Sequence, residues 1–186
     1  MQKCCQAGKK RLRYSCKGSF SCDCFLYMLL LQKNVWESRF INRSEMEIKM
    51  IYKNNYKIGM EDIGKNSQAT DRALMAIMED VACAHSASVG YGVLEVETKK
   101  RAWVLLDWQI KIYNRPKYGT EIEAYTWSRE MDRLCAYRDF ELKSESGQIF
   151  AAGTSRWLLT DTEKRRPVRL TEDIVGLYKS ENKHVF

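Results

Sequence analysis

The chain has 186 residues and a mass of 21.8 kDa, room for one ordinary domain and a tail. Apolar residues make up 45% and charged residues 30%, with 10 Gly and 2 Pro. That supports a real core and excludes a low-complexity chain, and no apolar run reaches the length of about 18 residues that a membrane-spanning helix needs.

The net charge of +7 is unevenly spread. Residues 1–48 carry nine Lys/Arg against four Asp/Glu, and the remaining residues carry 22 against 20. A nucleic-acid-binding body would hold the basic excess itself, so no nucleic-acid partner is implied. The seven cysteines cluster as well, with Cys4, Cys5, Cys16, Cys22 and Cys24 near the start. They lack C-x-x-C spacing and a nearby His, so neither a metal site nor a disulfide framework is expected. The expectation is a reduced protein of the cytoplasm.

In chain order, residues 1–45 look unlike the rest. Lys9 to Arg13 is basic and Cys24 to Leu31 is apolar, as in a signal peptide. No small-residue cleavage site follows. This stretch is expected to be a disordered extension or an over-extended start, with Met46 or Met50 as the first residue. A strand is predicted from about Met50 to Gly59. Ser67 or Thr70 then caps a helix with Asp71 in its first turn. Leu74, Ile77, Met78, Val81 and Ala82 repeat at helical spacing, and Gly90 and Gly92 end the run.

After the helix the period changes to two. Strands are predicted at Trp103–Tyr113, Glu121–Ser128, Leu134–Leu142 and Gln148–Thr160, with a hairpin turn at Ser144–Gly147. One helix against a curved antiparallel sheet is an α+β layer arrangement. A hot-dog fold satisfies that order, with cystatin-like and ferredoxin-like folds as competitors.

Five segments carry a family resemblance. They are Tyr56-Lys57-Ile58-Gly59 with the helix end Glu79-Asp80-Val81-Ala82-Cys83-Ala84-His85; Trp103-Val104 running to Arg115-Pro116-Lys117-Tyr118-Gly119; Tyr125-Thr126-Trp127; Tyr137-Arg138-Asp139-Phe140; and Ser155-Arg156-Trp157 with Arg165-Arg166-Pro167. In colinear order over about residues 50–175, they resemble the acyl-acyl-carrier-protein (acyl-ACP) thioesterases of plastids and bacteria.

That resemblance implies a hot-dog domain over residues 46–175, with 176–186 opening an inter-domain linker. Full-length members resemble two hot-dog halves, the first supplying much of the acyl pocket. The second holds a catalytic motif of the type Asp-x-Asn-x-His-Val-Asn-Asn, and this sequence stops at Phe186, before that half. Asn182-Lys183-His184-Val185 imitates the motif, yet Ser180 stands where Asp is required and no Asn-Asn follows. The implied activity is fatty acyl thioester hydrolysis in fatty acid biosynthesis, with this chain as a first half that lacks the catalytic residues. Acyl carrier protein is the implied partner, and no cofactor or metal is implied.

A fatty acyl chain needs a long apolar slot. The helix offers Leu74, Met75, Met78 and Ala82, and the strands offer Trp103, Leu105, Trp127, Tyr137 and Trp157; plain core packing is the competing explanation for each. Acyl carrier protein is acidic, so Lys164, Arg165, Arg166 and Arg169 form its candidate docking run. Asp80 is the candidate catalytic residue if a single hot-dog works alone; otherwise Glu79 and Asp80 lie on a solvated helix side. His85 is expected to be a structural or helix-end residue, where a cation would suit the helix dipole. Cys83 at i−2 faces elsewhere and cannot pair with it. A non-catalytic acyl-binding module, dimeric through the sheet edge, is the alternative.

Overall fold

The computed structural model describes residues 51–186 and the backbone of Arg11–Ser15. The early cysteine cluster and most of the N-terminal extension lie outside the described residues. Seven strands form one antiparallel sheet: β1 (Arg11–Ser15), β2 (Ile51–Lys57), β3 (Arg101–Ile112), β4 (Glu121–Met131), β5 (Cys135–Lys143), β6 (Ile149–Asp161) and the two-residue β7 (Arg166–Pro167). Their order is β1-β3-β6-β5-β4-β2, with β7 paired to β6. Among the described residues three α-helices accompany them, α1 (Asp71–Ser88), α2 (Val96–Lys99) and α3 (Glu172–Tyr178), with a single 3-10 turn at Met60–Asp62.

Helix α1 starts where its cap chemistry dictates. The Thr70 hydroxyl accepts from the Ala73 amide at 3.1 Å, and Asp71 places negative charge on the positive end of the helix dipole. Its apolar stripe, Leu74, Ile77, Met78, Val81 and Ala82, is buried against the concave side of the sheet. The approach is close at Gly153 of β6, where an added Cβ would meet Met78 Sδ at 3.2 Å and Ile110 Cγ1 at 3.4 Å.

Side-chain alternation sorts each strand into two faces. Ala136, Phe140 and Leu142 of β5 and Ala151, Trp157 and Leu159 of β6 belong to the core beneath α1. In β3 the alternation changes phase. The pairing with β6 runs Trp103↔Leu159 and Leu105↔Trp157, skips Leu106, and resumes at Asp107↔Arg156 and Trp108↔Ser155. Leu106 is thus the extra residue of a bulge. Because of it, odd-numbered Trp103 and Leu105 face the same way as even-numbered Trp108, Ile110 and Ile112.

The β5–β6 hairpin turns where predicted, with Gly147 at φ +84°, which favours glycine. The C-terminal end differs from the expectation. Helix α3 crosses the domain boundary expected at residue 175, and its Ile174 and Tyr178 are buried in the core. A seven-residue helix carries too few periodic residues to stand out from a linker. Beyond it the chain lies along the convex side: the Glu181 amide donates to Ser128 O at 2.8 Å and the Val185 amide to Asp139 Oδ2 at 3.0 Å.

Candidate functional site: an apolar slot between α1 and β3

Seven of the nine predicted slot residues share the concave side. Leu74, Met78 and Ala82 of α1 and Trp157 of β6 are buried in the core cluster. Met75, Trp103 and Leu105 are half-buried and packed against it. Half-buried apolar groups beside a closed core can bind an apolar chain without dismantling the core. Tyr52 of β2 belongs to this margin too, and Trp108 and Phe140 form the wall behind, their ring centres 4.9 Å apart. Alternation with Leu142 could have revealed Phe140 in the sequence; the bulge at Leu106 hid Trp108, since it reverses the parity set by Trp103 and Leu105, and the short β2 gave Tyr52 no such signal.

Trp127 and Tyr137 do not share the concave side with the other seven. Trp127 pairs with Asp139 and Tyr137 with Arg156, on the face away from α1. Trp127 is fully buried there because the C-terminal tail covers it. Its indole N–H donates to Lys183 O at 2.7 Å, and the Lys183 ammonium stands 4.4 Å from its ring centre. Tyr137 packs beneath the Arg129 guanidinium at 5.5 Å. Size and aromaticity suggested slot residues, but strand parity puts both on the other side.

The carboxylates of α1 are half-buried rather than solvated. Tyr56 Oη donates to Asp80 Oδ2 at 2.7 Å, and Asn54 Nδ2 donates to Tyr56 Oη at 3.2 Å. Burial, then the nearby Asp80 charge, raises the Glu79 carboxyl above its ordinary range.

His85 is not a cation at the helix end. It is fully buried, and burial plus the adjacent Arg138 charge depress its pKa to about 3. Arg138 Nη1 lies 2.9 Å from His85 Nδ1 and 3.1 Å from Thr126 Oγ1. Tyr178 closes the cluster. Its hydroxyl accepts from Trp103 Nε1 at 2.8 Å and donates to Ser86 Oγ at 3.3 Å, and burial pushes its pKa up to about 12. Sequence spacing could not connect residues 53 positions apart.

Lys164, Arg165, Arg166 and Arg169 are all exposed, around the turn that joins β6 to β7. His184 and Asn182 are exposed on the tail, with Ser180 beside them. Among the described residues no group of three or more His, Cys, Asp or Glu could hold a metal ion. No helix there is long and apolar enough to cross a membrane.

Residues 49–178 match the family model of the acyl-ACP thioesterase N-terminal domain. The chain belongs to the acyl-ACP thioesterase family. It is 28% identical over 134 residues to oleoyl-acyl carrier protein thioesterase 1 of Arabidopsis thaliana, a chloroplastic protein; the match covers 68% of this chain and 37% of that one. The chain thus spans little more than a third of that relative. Among solved structures, an acyl-ACP thioesterase from Bacteroides thetaiotaomicron superposes with a TM-score of 0.66 at 20% identity, covering 76% of this chain and 58% of its own. A hypothetical protein from Staphylococcus aureus, solved in complex with CoA, superposes at 0.67 with 17% identity, covering 77% of this chain and 93% of its own. These likenesses establish the hot-dog fold, as the family resemblance of the sequence implies.

Proposed function

We propose that this domain is the acyl-binding half of an acyl-ACP thioesterase and serves fatty acyl thioester hydrolysis in fatty acid biosynthesis. The observation that carries the reading is the half-buried apolar margin of Met75, Trp103 and Leu105 beside the closed core under α1. A flexible acyl chain suits it, since Met adapts its shape and the aromatic rings supply area. Acyl carrier protein is the proposed partner, met by Lys164, Arg165, Arg166 and Arg169. The proposed compartment is the cytoplasm, an expectation from the sequence that the chloroplastic relatives do not support. Pairing of two hot-dog domains through a sheet edge is the proposed assembly.

Catalysis is not assigned to the described polar cluster. His85 meets Arg138 and aromatic rings, with no nucleophile or carboxylate in its hydrogen-bond shell. A second reading, a single-domain thioesterase that uses Asp80, draws on the Tyr56–Asp80 hydrogen bond and the single-hot-dog length of the Staphylococcus aureus structure. Incubating purified protein and an Asp80→Ala variant with a dodecanoyl-carrier-protein thioester decides between them. Binding without turnover by either protein supports the acyl-binding half. Turnover lost in the variant supports the single-domain enzyme.

A further inference from the structure

The polar cluster at the His85 end of α1 adjoins the apolar margin through Tyr52 and Trp103, and its chemistry is unbalanced. Arg138 is a buried cation on β5. Its side-chain partners are His85 Nδ1, Thr126 Oγ1 and the face of the Tyr178 ring, 5.8 Å away. Cys83 and Tyr178 are its electrostatic neighbours. Among the described residues no carboxylate lies within ion-pair distance of it. An interior guanidinium without a counterion is costly.

A guanidinium has no acceptor. In the 2.9 Å contact Arg138 must donate, and His85 Nδ1 must accept. The single proton of the neutral imidazole is therefore on Nε2. That nitrogen is buried and has no hydrogen-bond partner among the described residues. The ring is not free to turn toward one. Tyr52 stacks on it at 5.4 Å with 14° between planes, and Tyr178 meets it edge-on at 5.6 Å. The two nitrogens of an imidazole diverge, so the unmet N–H points away from Arg138. The cluster is thus a donor polarised by a positive charge that no carboxylate among the described residues offsets, next to the apolar margin formed by Tyr52 and Trp103. Its chemical complement is an oxyanion on an apolar tail.

We propose that this domain binds an unesterified long-chain carboxylate, one oxygen accepting from His85 Nε2–H, with Arg138 as the positioning residue that fixes the tautomer and supplies the countercharge. The proposal rests on the acyl-slot reading and deepens it, because a free fatty carboxylate is the product class of thioester hydrolysis. The slot then retains product and meters further use of the domain.

The test is isothermal titration of the full chain with laurate and with dodecanol, which shares the tail but lacks the charge. Laurate should bind at least tenfold more tightly, and His85→Phe, which keeps a stacking ring but removes the donor, should abolish the difference. Equal binding of laurate and dodecanol overturns the carboxylate proposal and leaves the slot reading intact. Binding of neither overturns both. A preference that survives in His85→Phe also overturns the proposal. A measurement on the unmodified protein guards against misfolding of the variant: the His85 Nε2–H proton resonance should shift on laurate addition, and an unmoved resonance means that the carboxylate does not reach the donor and overturns the proposal.

Discussion

His85 on α1 and Arg138 on β5 are joined by a 2.9 Å contact, and burial, reinforced by the Arg138 charge, holds the histidine neutral. The consequence for acid stability follows from linkage. Unfolded, His85 takes up a proton near its ordinary pKa of 6.5; folded, it refuses the proton until about pH 3. The unfolded state therefore binds more protons across that window, and stability falls as pH falls from 6.5 toward 3. One such group contributes a slope of at most about 1.4 kcal/mol per pH unit. Urea unfolding at pH 7, 6 and 5 should show the loss, and His85→Phe should flatten the curve. An unchanged slope in the variant would sink this assignment.

Gly153→Val tests the contact between helix and sheet. The new Cβ meets Met78 Sδ at 3.2 Å and Ile110 Cγ1 at 3.4 Å, closer than ordinary van der Waals contact, and valine adds two methyl groups beyond it. The expected cost is ~1–3 kcal/mol from overpacking, read as a lower midpoint of thermal unfolding. An unchanged midpoint would mean that α1 sits farther from β6.

The two faces of the sheet predict opposite outcomes for two tryptophans. Trp103→Ala removes slot lining and the donor to Tyr178, so dodecanol affinity should fall about tenfold, in line with a lost apolar contact. Trp127→Phe should leave that affinity unchanged. Instead it removes the hydrogen bond to Lys183 O, and the amides of residues 181–185 should exchange faster with solvent. A drop in affinity in Trp127→Phe would contradict the face assignment.

The basic turn can be reversed without touching the core, because all four side chains are exposed. Replacing Lys164, Arg165, Arg166 and Arg169 together by Glu should leave the unfolding midpoint in place. Acyl-carrier-protein binding should weaken by an order of magnitude or more, with a shallower salt dependence. Equal binding by both proteins at low salt would move the docking surface elsewhere.

The sequence carried the long elements clearly. Thr70, the stripe from Leu74 to Ala82 and the alternating strands each state a periodicity strong enough to read locally, and the observed bounds lie within a few residues of the predicted ones. The helix face of the slot was legible for the same reason. Its strand face was legible only in part, because Trp127 and Tyr137 are chosen by parity and not by size. Helix α3 escaped notice because Ile174 and Tyr178 gain meaning only once the sheet they pack on exists. The His85–Arg138 pair was hidden for a related reason: a neutral histidine is made by tertiary burial, and the isolated helix end favours the opposite charge state.

The bulge at Leu106 works as a phase shifter between two registers of one strand. Core residues Trp108 and Ile110 and the proposed slot residues Trp103 and Leu105 are set by different parities, so one backbone residue is the hinge that aligns them. Deleting Leu106 would leave every side chain of the slot present in the protein and turn Trp103 and Leu105 to the convex side. In the proposed slot, the length of β3 therefore matters as well as side-chain size, because a one-residue change re-aims two lining residues at once.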